Sequence, residues 1–166
     1  MPNWVFSDLT ITGEGAKKFF EDSSQDYTIG YEGIESRPET HAMPIYEPSN
    51  DEFSFYALVR PETEAEQLDY ATGGWYDWNV KHWGTKWDAG DVEIYEVTDD
   101  KVTIKFQTAW SPPFEWLDKV TKMYPHLKFQ FDYEEETGWG GSRTYREGRV
   151  VRETQYEEEV WEEDND

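Results

Sequence analysis

The sequence contains no cysteine, and this absence excludes disulfide bonds, thiolate zinc sites and cysteine nucleophiles together. It also lacks any apolar run long enough to span a bilayer, and it shows no signal peptide. These absences predict a soluble intracellular protein.

Basic residues are scarce, with 15 Lys and Arg against 37 Asp and Glu, which gives a net charge of −22. Residues 1–90 and residues 91–166 each carry −11, so the acidity is not confined to one tail. Such a field repels nucleic acids and anionic lipids and attracts basic protein surfaces. An acidic surface also promotes solubility, so charge alone leaves both interpretations open.

Recognisable catalytic patterns are missing as well. His41, His82 and His126 stand in unrelated contexts without metal-site spacing, and the chain has neither a Walker loop nor a GxSxG motif. The glycine-rich stretch 138–142, GWGGS, lacks the lysine of a phosphate cradle and indicates a bend in a strand. No EF-hand spacing occurs among the carboxylates. We therefore predict a non-enzymatic protein without catalytic residues, metal or cofactor.

What the sequence does contain is a large share of aromatic residues, 17%, which indicates a folded chain. Alternating apolar residues predict strands, and the pair Asp99-Asp100 predicts a hairpin turn between two of them. Ser111, followed by two prolines, predicts the start of a helix that ends near Met123. The predicted strands are 3–12, 53–59, 91–98, 101–110, 127–134 and a final hairpin turning at Glu147-Gly148; the other predicted helix is 13–22.

Without the connecting segment, this order is strand, helix, strand, strand, helix, strand, hairpin. That is the order of a ferredoxin-like α+β fold, in which an antiparallel split βαβ sheet carries its helices on one face. We predict one domain over residues 1–156, with an insert at about 27–90 and a C-terminal β-hairpin. Residues 157–166 are expected to form an acidic tail.

The insert contains the tryptophan-rich stretch 75–88, WYDWNVKHWGTKWD. A helix over 75–83 would place its aromatic residues on an arc of roughly 200°, which suits a helix buried on two sides. Gly84 would then provide a left-handed C-terminal cap. This interpretation makes the tryptophans part of a core; the alternative is an aromatic groove for a base or a peptide. The residues concerned are Trp75, Tyr76, Trp78, Val80 and Trp83, with Trp4, Trp110 and Trp116.

Five short motifs in order give the sequence a family resemblance: PNW at 2–4, ITG at 11–13, WGTKWD at 83–88, TAWSPP at 108–113 and YPHLKF at 124–129. Together they resemble a family of phage- and plasmid-encoded proteins that includes the plasmid protein YubB. The resemblance implies a ferredoxin-like domain and a mobile-element origin, and it implies no reaction. The family usually has Cys and Asn after PNW, where this chain has Val5, Phe6 and Ser7, so no role of that cysteine can be carried over.

Four arginines in the final hairpin, Arg143, Arg146, Arg149 and Arg152, form a candidate anion site. A two-residue turn at 147–148 would place Arg146 opposite Arg149 and Arg143 opposite Arg152. Facing like charges are unfavourable unless an anion lies between them. That anion is either a neighbouring glutamate or a bound phosphate group, and the second possibility would make the protein a binder of a nucleotide immune signal.

The acidic stretches 132–136 and 156–164 are the candidate partner-binding surface, because glutamates there alternate with Tyr156, Val160 and Trp161. Carboxylates spaced on a rigid surface can imitate a phosphate backbone, and the aromatic residues can anchor the contact. A solvated terminus is the alternative. The residues of this prediction are Asp132, Glu134, Glu135, Glu136, Glu157, Glu158, Glu159, Trp161, Glu162 and Glu163.

These observations lead to one functional hypothesis. The protein is expected to be a phage or mobile-element inhibitor in the host cytoplasm that resembles anti-CRISPR proteins in its action. By acidic nucleic-acid mimicry it would occupy the groove of a basic, nucleic-acid-binding host defence protein. It would bind neither nucleic acid nor membrane.

Overall fold

A computed structural model of the chain describes residues 3–24, 53–60 and 74–157. Its strands are β1 Trp4–Thr12, β2 Gly90–Val97, β3 Lys101–Ala109, β4 Lys128–Glu135, β5 Gly140–Arg146 and β6 Arg149–Tyr156. Its helices are α1 Ala16–Asp22, α2 Gly74–His82 and α3 Phe114–Met123.

The six strands form one antiparallel sheet in the order β2-β3-β1-β4-β5-β6. The first four have the neighbours of a ferredoxin-like sheet, and the β5–β6 hairpin extends it beyond β4. The predicted α+β ferredoxin-like fold is therefore confirmed. No helix in the described ranges is both long enough and apolar enough to cross a membrane.

The core lies on one face of the sheet, because the strands alternate as the sequence predicts. Val5, Leu9 and Ile11 of β1 are fully buried and Ser7 is buried with them, whereas the alternate residues Phe6, Asp8 and Thr10 are not. From the helix layer, Phe19 of α1 meets Phe129 of β4 with ring centroids 5.2 Å apart. The even-numbered residues of β1 point to the opposite face, which no helix in the described ranges covers.

The prediction of a strand over residues 53–59 is wrong, because the described segment 53–60 is a turn. Phe53 and Phe55 are buried against Trp116, with centroid distances of 5.6 and 4.8 Å. None of the six strands that the structure describes pairs with the segment. Instead, the buried carboxylate of Asp88 accepts the N–H groups of Phe55 at 2.6 Å and Tyr56 at 3.1 Å. The apolar residues of this segment therefore indicate that its side chains are buried, and they do not indicate pairing with a strand.

The predicted tryptophan-rich helix is present as α2, and the predicted C-terminal cap at Gly84 is confirmed. Gly84 has φ 86°, and its N–H bonds the carbonyl oxygens of Asn79 and Val80, both at 3.1 Å. Trp83 is buried, and its Nε1–H donates to the Val59 carbonyl at 2.8 Å.

The prediction that α2 is buried on two sides is wrong, however, because only part of the predicted aromatic arc contacts the core. Trp78 is buried, but Tyr76 and Val80 are exposed. Trp116 belongs to the core as predicted, Trp4 is half-buried, and Trp110 is exposed and is not a core residue. The side chain of Trp75 lies outside the described residues.

The predicted serine cap of α3 is wrong as well. Pro113 is the N-cap residue and makes no side-chain cap bond, whereas the Ser111 hydroxyl donates to the Gly84 carbonyl at 2.5 Å. Because Pro112 and Pro113 separate Ser111 from the first turn, its hydroxyl joins the loop after α2 to the start of α3 instead.

Candidate binding face

The uncovered face of the sheet carries a row of polar residues that crosses all six strands. Each member is the register partner of the next, from β2 at one edge to β6 at the other. The row is Glu93, Lys105, Asp8, Asp132, Ser142 and Thr154. Asp8 is central to it, because Lys105 lies on one side and the like-charged Asp132 on the other.

This row lies in an open depression of about 770 Å³. Five carboxylates, Asp8, Asp91, Glu93, Asp132 and Glu134, line the depression, and Lys105 is the one cation among its lining residues. Lys105 Nζ lies 3.6 Å from Asp8 Oδ1 and 4.9 Å from the centroid of the Tyr95 ring. We call this depression the acidic trough; its negative charge greatly exceeds what Lys105 can balance.

Aromatic side chains border the acidic trough. Phe6, near the start of β1, has 46% of its surface exposed, and Tyr156, at the end of β6, has 49%. Tyr156 is the register partner of Gly140, and a Cβ atom on this glycine would lie 2.6 Å from the Tyr156 hydroxyl oxygen. Because Gly140 has no side chain, the ring of Tyr156 can lie against the sheet.

Two tyrosines close to the carboxylates of this face, Tyr156 in the trough and Tyr95 beside Glu93, have raised pKa values. The pKa of Tyr156 is raised, first by partial desolvation and then by the carboxylates of Glu134 and Asp132. The pKa of Tyr95 is raised because its hydroxyl donates to Glu93 Oε1 at 2.7 Å.

The opposite end of the same face is basic. Thr12, the last residue of β1, has Lys101 as its partner on β3 and Lys128 as its partner on β4. Arg146 and Arg149 face each other across the β5–β6 turn. The acidic trough thus lies towards the Phe6 end of β1, and the other end carries these four basic residues together with Glu96, which pairs with Lys101 at 3.6 Å.

The predicted acidic residues do not all belong to the trough. Asp132 and Glu134 lie in it, whereas Glu135 is 3% exposed and its carboxylate accepts bonds from Thr137, which lower its pKa. Glu136 Oε1 accepts the Trp4 N–H at 2.7 Å, and Glu157 is exposed after β6. Glu135 is therefore removed from the candidate surface; Glu158, Glu159, Trp161, Glu162 and Glu163 lie outside the described residues.

The four arginines do not converge on one site. The predicted cross-strand pair Arg146–Arg149 is present. The predicted pair Arg143–Arg152 does not form, because a bulge between Thr144 and Tyr145 shifts the register by one residue. Arg143 faces Glu153 instead, and its Nε donates to Glu153 Oε2 at 2.6 Å.

Arg143 is also held on a second side. Its guanidinium carbon lies 3.6 Å from the centroid of the Phe114 ring, and its Nη1 lies 3.7 Å from Asp118 Oδ1. The prediction that a neighbouring glutamate balances the arginines is therefore confirmed for Arg143, whose partner is Glu153. Because these contacts hold its side chain, Arg143 has a structural role. Arg152 is the partner of Thr144 on the uncovered face, away from Arg143.

Sequence reasoning missed Asp8, Asp91 and Glu93. The available signal was the phase of β1, because Trp4, Phe6 and Asp8 alternate with the buried Val5 and Leu9. The described residues contain no group of three or more His, Cys, Asp or Glu placed to hold a metal ion. His82 stacks on Trp78 at 4.3 Å between ring centroids, His126 is exposed, and His41 lies outside the described residues.

Comparison with known proteins identifies the domain. A family model described as "Ferredoxin-like domain in Api92-like protein" matches residues 82–166. The crystal structure of the protein api92 from Yersinia pseudotuberculosis is similar over 94% of this chain and 98% of that chain, with a TM-score of 0.60 and 12% identity. At this identity the likeness concerns the fold alone. No curated protein sequence matches the chain.

Proposed function

The chain belongs to the family defined by the ferredoxin-like domain of Api92-like proteins, and from the surface that this fold displays we propose a non-enzymatic inhibitor that binds a basic host protein. The acidic trough is the binding site. It occupies the groove in which the host protein holds DNA or RNA, so that inhibition is competition for that groove.

The observation that carries the proposal is the facing pair Asp8 and Asp132 on the floor of the acidic trough. Like charges directly opposite each other on neighbouring strands are destabilising. Lys105 contacts only the Asp8 side of the pair, at 3.6 Å. A cationic side chain placed between Asp8 and Asp132 would therefore relieve repulsion that already exists in the free protein.

The aromatic border supports a protein partner over a metal ion. Phe6 and Tyr156 offer apolar surface beside carboxylates, and interface anchors commonly combine these two features. A lysine or arginine side chain presents an apolar stem and a charged head, which match the ring and the carboxylate respectively. Nucleic-acid grooves are lined by such side chains.

The charge and the family resemblance support the proposed class of target. A polyanionic ligand is disfavoured because five carboxylates line the trough. A phage or plasmid origin, which the sequence motifs indicate, would give the protein a reason to act on a host defence complex that binds nucleic acid. CRISPR effectors are one such class.

The test is capture of nucleic-acid-binding proteins from a host lysate by the immobilised chain. We expect the captured proteins to be released by rising salt and by added duplex DNA. Changing Asp91→Asn, Glu93→Gln, Asp132→Asn and Glu134→Gln together should weaken capture by about tenfold or more, because electrostatic attraction is lost.

A matched variant controls for net charge. Glu14→Gln, Glu21→Gln, Asp99→Asn and Asp100→Asn remove the same four charges from exposed positions outside the trough. This variant should capture almost as well as the unchanged chain. Equal loss in both variants, capture that resists high salt and DNA, or direct binding of a nucleotide by the chain would each contradict the proposal.

A further inference from the structure

A second feature of the surface, separate from the acidic trough, is a cation enclosed by aromatic rings. Lys86 Nζ lies 4.7 Å from the ring centroid of Trp87, 4.9 Å from that of Trp110 and 5.8 Å from that of Tyr76. Distances below about 6 Å are those of cation–π attraction. We call these three rings the aromatic cage.

From this arrangement we propose that the aromatic cage is a binding site for an arginine side chain of the basic partner, and that Lys86 occupies it in the free protein. This inference rests on the proposed function. To the charge attraction of the acidic trough it adds stacking on aromatic rings, for which a guanidinium group is better suited than an ammonium group.

The first argument is what surrounds Lys86. Within the described residues, no salt bridge joins Lys86 to a carboxylate, although the chain carries 37 acidic side chains. The ammonium group lies among ring faces instead. The cage therefore already holds a cation, by an interaction that a guanidinium group makes at least as well.

The second argument is that the cage opens to solvent. Trp110 is 46% exposed, and Tyr76 is exposed beside it, with ring centroids 6.2 Å apart. Large exposed aromatic rings that touch each other mark interaction sites more often than single ones do. An arriving side chain can therefore reach the ring faces once Lys86 moves away.

The third argument is the backbone of Trp110, which has φ 72°. A bulky residue rarely adopts this left-handed conformation, and it persists only where the surroundings enforce it. Here the N–H of Trp110 donates to the Asn3 carbonyl at 2.8 Å. The constrained backbone thus holds the ring in its exposed place, and such strain is concentrated at ligand sites.

The fourth argument is position. Trp87 contacts Trp4, with ring centroids 6.0 Å apart. Trp4 and Phe6 point to the same face of β1, and Phe6 lines the acidic trough. A basic segment lying in the trough could therefore place one more side chain in the aromatic cage.

Exchange of one cation for the other is chemically reasonable. Lys86 sits in the loop after α2, on a flexible stem, and its ammonium group is well hydrated when released into water. A guanidinium group is more weakly hydrated and stacks flat on aromatic rings. The cage should therefore prefer arginine to lysine.

The test compares hexa-arginine with hexa-lysine as probes of the full-length chain, with tryptophan fluorescence and indole N–H NMR signals as readouts. We expect the unchanged chain to bind hexa-arginine about fivefold more tightly than hexa-lysine. Trp110→Gly and Trp87→Leu should abolish this preference. Glycine accepts φ 72° without strain, so Trp110→Gly removes the ring while keeping the backbone.

Lys86→Met should raise the affinity for hexa-arginine by about threefold, because the competing cation is gone. Lys17→Met, an exposed lysine outside the cage, makes the same change of charge and should leave the preference for arginine unchanged. An arginine preference that survives loss of both rings would overturn the cage.

The two proposals fail in different ways. The four trough substitutions should weaken both peptides equally and leave the arginine preference intact. If neither peptide binds the unchanged chain in a salt-dependent manner, the acidic trough is not a site for basic partners. If both bind with equal affinity, the proposed function stands and the aromatic cage does not.

Discussion

Replacing Asp88 by alanine is expected to lower the free energy of unfolding by about 3–4 kcal/mol at pH 7, where the side chain is mostly ionised, because three buried N–H groups lose their acceptor. The carboxylate accepts the N–H of Phe55 and that of Ala89, both at 2.6 Å, and the N–H of Tyr56 at 3.1 Å. Within the described ranges the segment 53–60 pairs with no strand, so no described sheet bond replaces these three. Urea unfolding followed by tryptophan fluorescence measures the change.

A conservative variant separates the hydrogen bonds from the packing. In Asp88→Asn, the amide oxygen can keep the bonds to Phe55 and Ala89, but the amide nitrogen would face the N–H of Tyr56, donor against donor. We expect a loss about half as large as for alanine. Equal stability of both variants and the unchanged chain would show that the segment 53–60 is held by its buried rings alone.

The same residue gives the stability a distinct dependence on pH. Burial raises the pKa of Asp88 to about 6, against the bonds from Phe55, Ala89 and Tyr56, which lower it. The native state therefore binds this proton more tightly than the unfolded state does. The stabilisation is complete below the ordinary carboxyl pKa near 4 and is lost as the pH rises through about 6, by about 3 kcal/mol.

Asp88→Asn cannot titrate at this position, so its difference in stability from the unchanged chain isolates the effect. Between pH 4 and pH 7 that difference should shrink, because only the unchanged chain loses the bound proton. A constant difference across this range would mean that Asp88 is ionised throughout and that its three donors outweigh its burial.

The sequence predicted those parts of the fold that depend on local patterns. The phases of β1, β3 and β4 follow from alternating residues such as Val5, Leu9 and Ile11, and the turn at Asp99-Asp100 follows from residue type. The order of these elements was enough to predict the ferredoxin-like sheet. Gly84 likewise indicated the end of α2, because its need for a positive φ is local.

Parts that depend on contacts between distant residues were not predictable in this way. The segment 53–60 reads as a strand because Phe53, Phe55 and Val59 are apolar, while its actual partner, Asp88, is about thirty residues away. The bulge at Thr144 and Tyr145 has no signal in the hairpin itself and changes which residue faces Arg143.

The acidic trough was predicted only in part, for the same reason. Asp132 and Glu134 stood in a conspicuous acidic run, whereas Asp8 is a single carboxylate in an otherwise neutral strand. Only the sheet order brings Asp8 between Lys105 and Asp132. A site composed of one residue from each of several strands becomes visible once the strand order is known.

Replacing Gly140 by alanine is expected to lower the free energy of unfolding by about 3 kcal/mol and to remove Tyr156 from the acidic trough. The added Cβ would meet the Tyr133 carbonyl oxygen and would lie 2.6 Å from the Tyr156 hydroxyl oxygen and 2.8 Å from its Cζ. The first contact is with backbone and requires β4 and β5 to separate. The second can be relieved if the tyrosine ring moves.

A double-mutant cycle with Tyr156→Ala divides these two causes. If the tyrosine ring contributes to the clash, Gly140→Ala should cost about 1 kcal/mol less when Tyr156 is already alanine. The remaining loss then belongs to the Tyr133 carbonyl. Ser142→Thr, on the uncovered face of the same strand, keeps the hydroxyl that bonds Thr154 Oγ1 at 2.8 Å; it is the control and should change stability by less than about 0.5 kcal/mol. A fully stable Gly140→Ala chain would contradict the close approach of Tyr156 to the sheet, and with it the aromatic border of the acidic trough.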